Sequence, residues 1–380
     1  MASCPEGKKI GVRVGAIFQA ANIFPVIYMF IQLYWKWRDT ATLYALGSLG
    51  LADCVLFATL WDRTVPFGGD EISLWIYLGL LLSGLVGTTG LVVIFGYAAK
   101  FRPQHMSALS TGLGATGLVT AGFALIQGGG ANTAEARFSF SAFFVIIAVF
   151  QGLPIVCLYL LERPSLQRHL LRSPEDEAAS AHRAPDDGTA GSGSSQAKPA
   201  SEDQALLPGQ KRAARPSVWE VFRHAKNPLI NQYVTATCTY LVIPALWPYL
   251  AHDDDDPILL WLPNVYLICN VVGRYLTSFV QPMRLELPNA VQVTLTLVFC
   301  AGAFRLLGTT VTVRASYVIM MVFFSAMNGI TNTWVYVHIG KRLSHRLGDA
   351  AARWAGIVNQ AGAISGTLLS LLLIESKALR

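Results

Sequence analysis

The chain is 380 residues long, with 53% hydrophobic and only 14% charged residues and a mean hydropathy of +0.44. A water-soluble domain carries about a quarter charged residues, so this composition excludes an ordinary soluble fold. The formal charge of +6 does not indicate a nucleic-acid partner, because the basic residues sit in short loops between apolar runs and not along one polar face.

Ten apolar windows follow in chain order, each suited to crossing a hydrocarbon core that takes roughly 20 helical residues. They are Gly11–Tyr34, Thr40–Trp61, Ser73–Tyr97, His105–Gly128, Phe138–Leu161, Asn227–Tyr249, Pro257–Val280, Pro288–Leu307, Ala315–Ile339 and Ala351–Ile374. None shows the polar/apolar alternation of a β-barrel, and an open strand in lipid would leave backbone groups unpaired. The expected fold is therefore all-α: a polytopic integral membrane protein of about ten transmembrane helices in two five-helix halves. The first run is too long for a signal peptide and lacks a small-residue cleavage site.

The halves are expected at residues 1–162 and 227–380, separated by a disordered cytoplasmic loop over 163–226. Arg163–Ser217 is rich in Ser, Ala, Gly, Pro, Glu and Lys, and holds too few large apolar residues to offset chain entropy. Two bundles joined by a long loop is a plan common among carriers.

Every second loop is basic: Lys36 to Arg38, Lys100 to Arg102, the long segment, Arg284, and Lys341, Arg342 and Arg346. The alternate loops are acidic or neutral, which places the basic set in the cytoplasm and both termini outside. Lys8, Lys9 and Arg13 conflict with that assignment, and one further helix upstream would remove the conflict. The chain is thus expected to lack a helix at its start.

Five of the six cysteines lie inside apolar windows and read as small packing residues. No phosphate loop, metal-ligand spacing or nucleophile with its base occurs, so neither an enzyme nor a cofactor is expected. The run Asp253 to Asp256 reads as a solvated outer loop rather than a metal site.

Polar residues within the apolar windows are the informative ones, since each is costly unless it faces protein or water. Gln19 and Asn22, three apart, share a helix face ahead of Pro25, as the wall of a path or as interhelical glue. Asp53 stands deep in the second window, to bind a proton or cation or to pair with a buried arginine such as Arg274. Gly112, Gly114 and Gly117 permit close helix packing, and Gln127 closes that window. Late in the chain come Asn328, Asn332, Trp334 and Tyr336, then Trp354, Asn359 and Gln360. Such walls suit a flat heterocycle, with aromatic faces to stack on the ring and amides to match its carbonyl and N–H edge.

Several segments resemble the eukaryotic riboflavin transporters, solute carrier family 52. They are Ile17 to Pro25 with its Gln19, Asn22 and Pro25; Phe57-Ala58-Thr59-Leu60-Trp61; Gly112 to Leu118 followed by Ala124 to Gly128; and Trp354 to Leu368. The resemblance implies an eleven-helix carrier that moves riboflavin across the plasma membrane without sodium. The family's first helix carries a tryptophan- and asparagine-rich signature that contributes to its substrate site, and Met1–Lys9 has no counterpart. Other departures fall on polar positions: Leu113 replaces a family carboxylate, Tyr240 to Tyr249 replaces an amide pair with aromatics, and Tyr336 replaces a lysine.

The expected function is carrier-mediated uptake of riboflavin or a related heterocycle by alternating access. Candidate substrate-binding residues are Gln19, Asn22, Gln127, Asn332, Trp334, Asn359 and Gln360, with Asp53 and Arg274 as a coupling site or buried ion pair. The partners are the small-molecule substrate and the lipid bilayer. A nucleoside-type carrier and a non-transporting, carrier-derived membrane protein remain the alternatives.

Overall fold

The structure is a computed structural model that describes residues 17, 20–35, 37–67, 70–127, 137–166, 216–250, 258–280, 284–304, 306 and 311–375. Gln19, the interior of the long loop and the Asp253–Asp256 run lie outside the described residues. Ten long α-helices occur among the described residues. They are α1 (Ile23–Trp35), α2 (Asp39–Leu60), α3 (Leu74–Ala98), α4 (Pro103–Gln127), α5 (Phe140–Leu161), α6 (Val218–Leu241), α7 (Ile258–Leu276), α8 (Glu286–Ala303), α9 (Val311–Arg342) and α10 (His345–Glu375). The protein is a polytopic all-α membrane protein, with wide apolar surfaces left to the bilayer. On α5, for instance, Val145, Val149 and Val156 are all more than half exposed.

Helices α6, α9 and α10 extend beyond their apolar windows, whereas α7 ends at Leu276, short of Val280. Helix α6 starts nine residues before its window, on a capping box in which Ser217 and Glu220 satisfy each other's backbone N–H groups. Helices α9 and α10 likewise run past Ile339 and begin ahead of Ala351. Hydropathy marks only the stretch in hydrocarbon, whereas the hydrogen-bonded helix continues into the interface. At 32 residues, α9 is about 48 Å long, well beyond the roughly 30 Å core. The loop after α2 also holds a short antiparallel hairpin, Val65–Phe67 (β1) with Asp70–Ile72 (β2), which hydropathy has no means to see.

Helix α6 ends at a break. Ile243 leaves the helix at φ −113° and ψ 120° within a π-helical turn, Val242–Leu246. It precedes Pro244, and the residue before a proline is pushed from helical to extended backbone. A short 3₁₀ turn, Trp247–Leu250, completes the segment.

Helix α6 packs along α10, α7 along α9, and α2 against both α3 and α5. Glycine makes the first two pairings close. A Cβ added at Gly362 would stand 2.6 Å from the backbone oxygen of Tyr233, and one at Gly329 would strike the backbone of Asn270. Contacts between helices α1–α5 and helices α6–α10 run through α3 with α10 and through α4 with α7 and α9.

The buried apolar clusters are unevenly placed. The largest gathers Phe95, Phe101, Met106, Val221, Leu229, Trp334, Tyr336, Ile339, Ala351, Ala352 and Ala355, so it joins helices of both groups beside the basic loops. At the opposite end the cluster of Val242, Leu246, Leu262, Phe299, Tyr317 and Phe324 is built from α6, α7, α8, α9 and the segment after α6 alone. The basic end is further tied by ions: Arg353 of α10 donates to Asp39 of α2 at 2.6 Å, and Lys100 lies 3.5 Å from the same carboxylate.

Candidate functional site: an amide-lined cavity

A cavity of about 630 Å³ lies between α3 and the group α6, α7, α9 and α10. That falls inside the range of about 300–1,000 Å³ in which small-molecule sites occur. Amides from three helices dominate one wall. The Gln232 side chain of α6, 1% exposed, donates from Nε2 to Asn332 Oδ1 of α9 and to Asn359 Oδ1 of α10, both at 2.7 Å. Asn332 in turn donates to Asn328 Oδ1 at 2.5 Å. Asn328 also accepts from Asn270 of α7 at 3.0 Å and donates to the Thr239 hydroxyl of α6.

The chain of bonds continues through Arg274. Its Nε donates to Asn270 Oδ1 at 2.8 Å, and its Nη1 donates to the Ser110 backbone and hydroxyl oxygens of α4 at 3.0 Å each. Gly114 leaves the room for this arginine, since a Cβ there would stand 2.8 Å from its Cδ. Each of these polar groups is costly to hold in a membrane alone, and pairing them across five helices turns that cost into registry between helices.

Several polar groups are left over and border the cavity. Gln232 Oε1 is buried without a donor among the described residues. Asn359 spends its Oδ1 on Gln232, and the Gln360 amide makes no hydrogen bond among the described residues. Arg274 is the single cation of the described lining, which contains no carboxylate. The site therefore offers an acceptor, several donors and one positive charge, a set that favours neutral or anionic solutes over cations.

The remaining walls are aromatic. Phe95 of α3 stacks on Tyr336 of α9 with ring centroids 3.6 Å apart and planes within 3°. The pair lines the cavity on the side of the basic loops and spans the two helix groups. Tyr240 and Tyr266 add further ring surface.

Of the residues singled out by sequence, Asn332, Asn359, Gln360 and Arg274 meet at this cavity. Trp334 does not: its side chain is 3% exposed and packs in the basic-end cluster, because it lies two residues from Asn332 and so on another face of α9. Gln127 stands at the end of α4, where it donates to the Phe138 carbonyl at 3.1 Å and fastens the ends of the following loop. Asn22 is buried just ahead of α1, outside the cavity lining.

Asp53 and Arg274 form no pair. Asp53 instead accepts from Ser83 of α3, and among the described residues the ion pairs involve Asp39, Lys100, Asp349 and Arg353. Asp53 lies on α2 toward α3, whereas Arg274 projects from α7 onto α4, so two different helix interfaces hold them. The centre of the network, Gln232, was missed by sequence reasoning. Its signal was present, an amide inside the sixth apolar window, but the polar character of α6 as a whole masked it.

Solved transporter structures, one of them of a Major Facilitator Superfamily member, share this helical fold. The chain superposes on the superfamily transporter FucP in its outward conformation with TM-score 0.54 at 13% identity, covering 98% of this chain and 84% of that one. On a bacterial homologue of the iron transporter ferroportin in an outward-facing state the TM-score is 0.53 at 15% identity, covering 98% and 85%.

The chain belongs to solute carrier family 52, riboflavin transporter, whose family model matches residues 1–379. A relative from Danio rerio, solute carrier family 52, riboflavin transporter, member 3-B, is 32% identical over 146 residues, which are 36% of this chain and 31% of the relative. Riboflavin transporter 2 of Salmo salar is 29% identical over 131 residues, 33% of this chain and 28% of the relative. The aligned segments thus span about a third of each relative's length.

Proposed function

We propose that the chain is a carrier for riboflavin or a closely related flat heterocycle, working by alternating access between bundles at residues 1–162 and 227–380. The observation that carries this reading is the Gln232–Asn332–Asn359 network beside the Phe95–Tyr336 stack. A tricyclic ring with carbonyls and an N–H along one edge finds amide partners on one wall and ring faces on another. Family membership supports the same substrate class.

The distribution of buried clusters supports a state closed at the basic end and accessible from the other. Both structural neighbours were captured facing outward. The alternation of basic loops points the closed end to the cytoplasm, and the plasma membrane is the proposed location.

The test is uptake of radiolabelled riboflavin in cells expressing the full chain, with Gln360→Ala and Asn332→Ala beside the parent. Saturable uptake, reduced in both variants at equal surface expression, is the expected result. No uptake above mock cells by a correctly folded, surface-expressed chain would overturn the reading. Uptake blocked by uridine and not by excess riboflavin would replace it with a nucleoside carrier.

A further inference from the structure

A second cavity, of about 580 Å³, opens at the basic end among α6, α8 and α9. Its lining joins Asn227 of α6, Arg284 just ahead of α8, Glu286 at the start of α8, and His338, Lys341 and Arg342 at the end of α9. The α9 residues stand at i, i+3 and i+4, so the helix turns all three to one side. Arg284 faces them from the segment just ahead of α8. Three cations against one carboxylate leave a lining charge of +2 with the histidine neutral. Among the described residues neither arginine nor Lys341 has an ion-pair partner.

The ordinary reading is that cations gather here because they face the cytoplasm and sit at a helix C-terminus. That explains their presence in these loops. It does not explain why they converge on one cavity, with a second arginine brought by the segment ahead of α8 and a buried wall at Leu285. Two planar guanidinium groups beside an ammonium form a donor set matched to phosphate oxygens.

The surroundings indicate where such a phosphate comes from. From Glu286 the exposed side of α8 continues through Leu287 (58% exposed), Val293 and Leu297 (64%) toward the membrane centre. From Asn227 the exposed side of α6 continues through Ile230 (60%). A cationic cavity at headgroup level that leads onto apolar, lipid-facing helix surface suits an amphiphile, with its acyl chains laid along those helices.

We propose that this cavity binds the phosphorylated headgroup of an anionic membrane lipid. Assignment to the inner leaflet rests on the orientation proposed above, whereas binding itself does not depend on that orientation or on transport. Each Lys or Arg contributes roughly fivefold to such binding, so removing two weakens it by about 25-fold.

The experiment uses the full chain purified in detergent and titrated with dioctanoyl phosphatidylinositol bisphosphate, dioctanoyl phosphatidylcholine and free inositol trisphosphate, followed by thermophoresis. The Arg284→Gln/Arg342→Gln variant is compared with Arg163→Gln, which removes a cation at the same end but away from the cavity. Expected is tightest binding of the anionic lipid, weakened about 25-fold in the double variant and unchanged in Arg163→Gln. Equal binding by the double variant and the parent, with normal elution profiles, would overturn the site. Inositol trisphosphate binding as tightly as the lipid would overturn the lipid as its ligand.

Discussion

Replacing Gln232 with leucine tests the centre of the proposed solute site. The substitution keeps the volume and apolar reach of the side chain but removes both hydrogen bonds to Asn332 and Asn359. Hydrogen bonds between membrane helices average about 0.6 kcal/mol with a ceiling near 1.7, so the pair contributes about 1.2 kcal/mol to stability and at most about 3.4. The same change removes Oε1, the buried acceptor without a protein donor. A neutral hydrogen bond to the solute is worth about 0.5–1.5 kcal/mol, which raises the KM for uptake about 2- to 13-fold. The assay is concentration-dependent uptake of radiolabelled riboflavin, normalised to surface expression, together with thermal unfolding of the purified protein. Gln232→Leu is expected to melt at lower temperature and to show the raised KM. A parental KM in a well-expressed variant would refute the placement of Gln232 against the solute, whatever happened to stability.

Four further outcomes follow from the same geometry. Gln127→Ala leaves the KM unchanged, because its amide fastens a loop and does not line the cavity; a KM shift as large as that of Gln232→Leu would reopen Gln127 as a contact. Gly362→Ala forces a methyl against the Tyr233 carbonyl and costs about 1–3 kcal/mol by overpacking, whereas Gly112→Ala meets open space; thermal melts of the two variants should differ accordingly. Tyr336→Phe removes a buried hydroxyl that lacks a partner among the described residues, so its melting temperature should equal or exceed the parent's. Asp39→Asn loosens Arg353 and Lys100, whose shared carboxylate ties α2 to α10; labelling of a cysteine introduced beneath the Phe95–Tyr336 stack should rise from the basic side.

Much of the fold was legible because the bilayer imposes one strong rule, that spanning backbone must satisfy itself. Ten apolar windows correspond to ten helices, and their errors fall at the ends, where α6, α9 and α10 extend into the interface on capping and helix propensity. The site was legible only in part, for a geometric reason. Hydropathy identifies a polar residue in a span but not which neighbour its helix face meets. Asn332 and Trp334 lie two positions apart, about 200° around α9, and one reaches the cavity while the other enters the basic-end core. Pairing across helices was equally hidden: Asp53 and Arg274 are the natural match by charge, yet Ser83 and Asn270 are their neighbours.

Helices α6, α7 and α8 carry much of the polarity buried in the structure. Among the described residues, α2, α3, α5 and the main parts of α9 and α10 qualify as spans by length and apolar composition. Helix α6 carries Asn231, Gln232, Thr235 and Thr239, α7 carries Asn270 and Arg274, and α8 carries Asn289 and Gln292. These residues spend their polarity on one another: Asn289 donates to Asn231 at 2.6 Å and accepts from Thr235 at 2.5 Å, and Gln292 reaches Thr239 at 3.2 Å. Helix α5, the most lipid-exposed of the set, supplies nothing to the cavity. The polar residues of α6, α7 and α8 therefore lie on their inner faces, and exposed Ile230, Ile268 and Leu297 keep their outer faces apolar. A helix can enter the membrane with that composition only if its partners arrive with matching polar faces, which makes assembly of α6 to α10 and formation of the cavity one event.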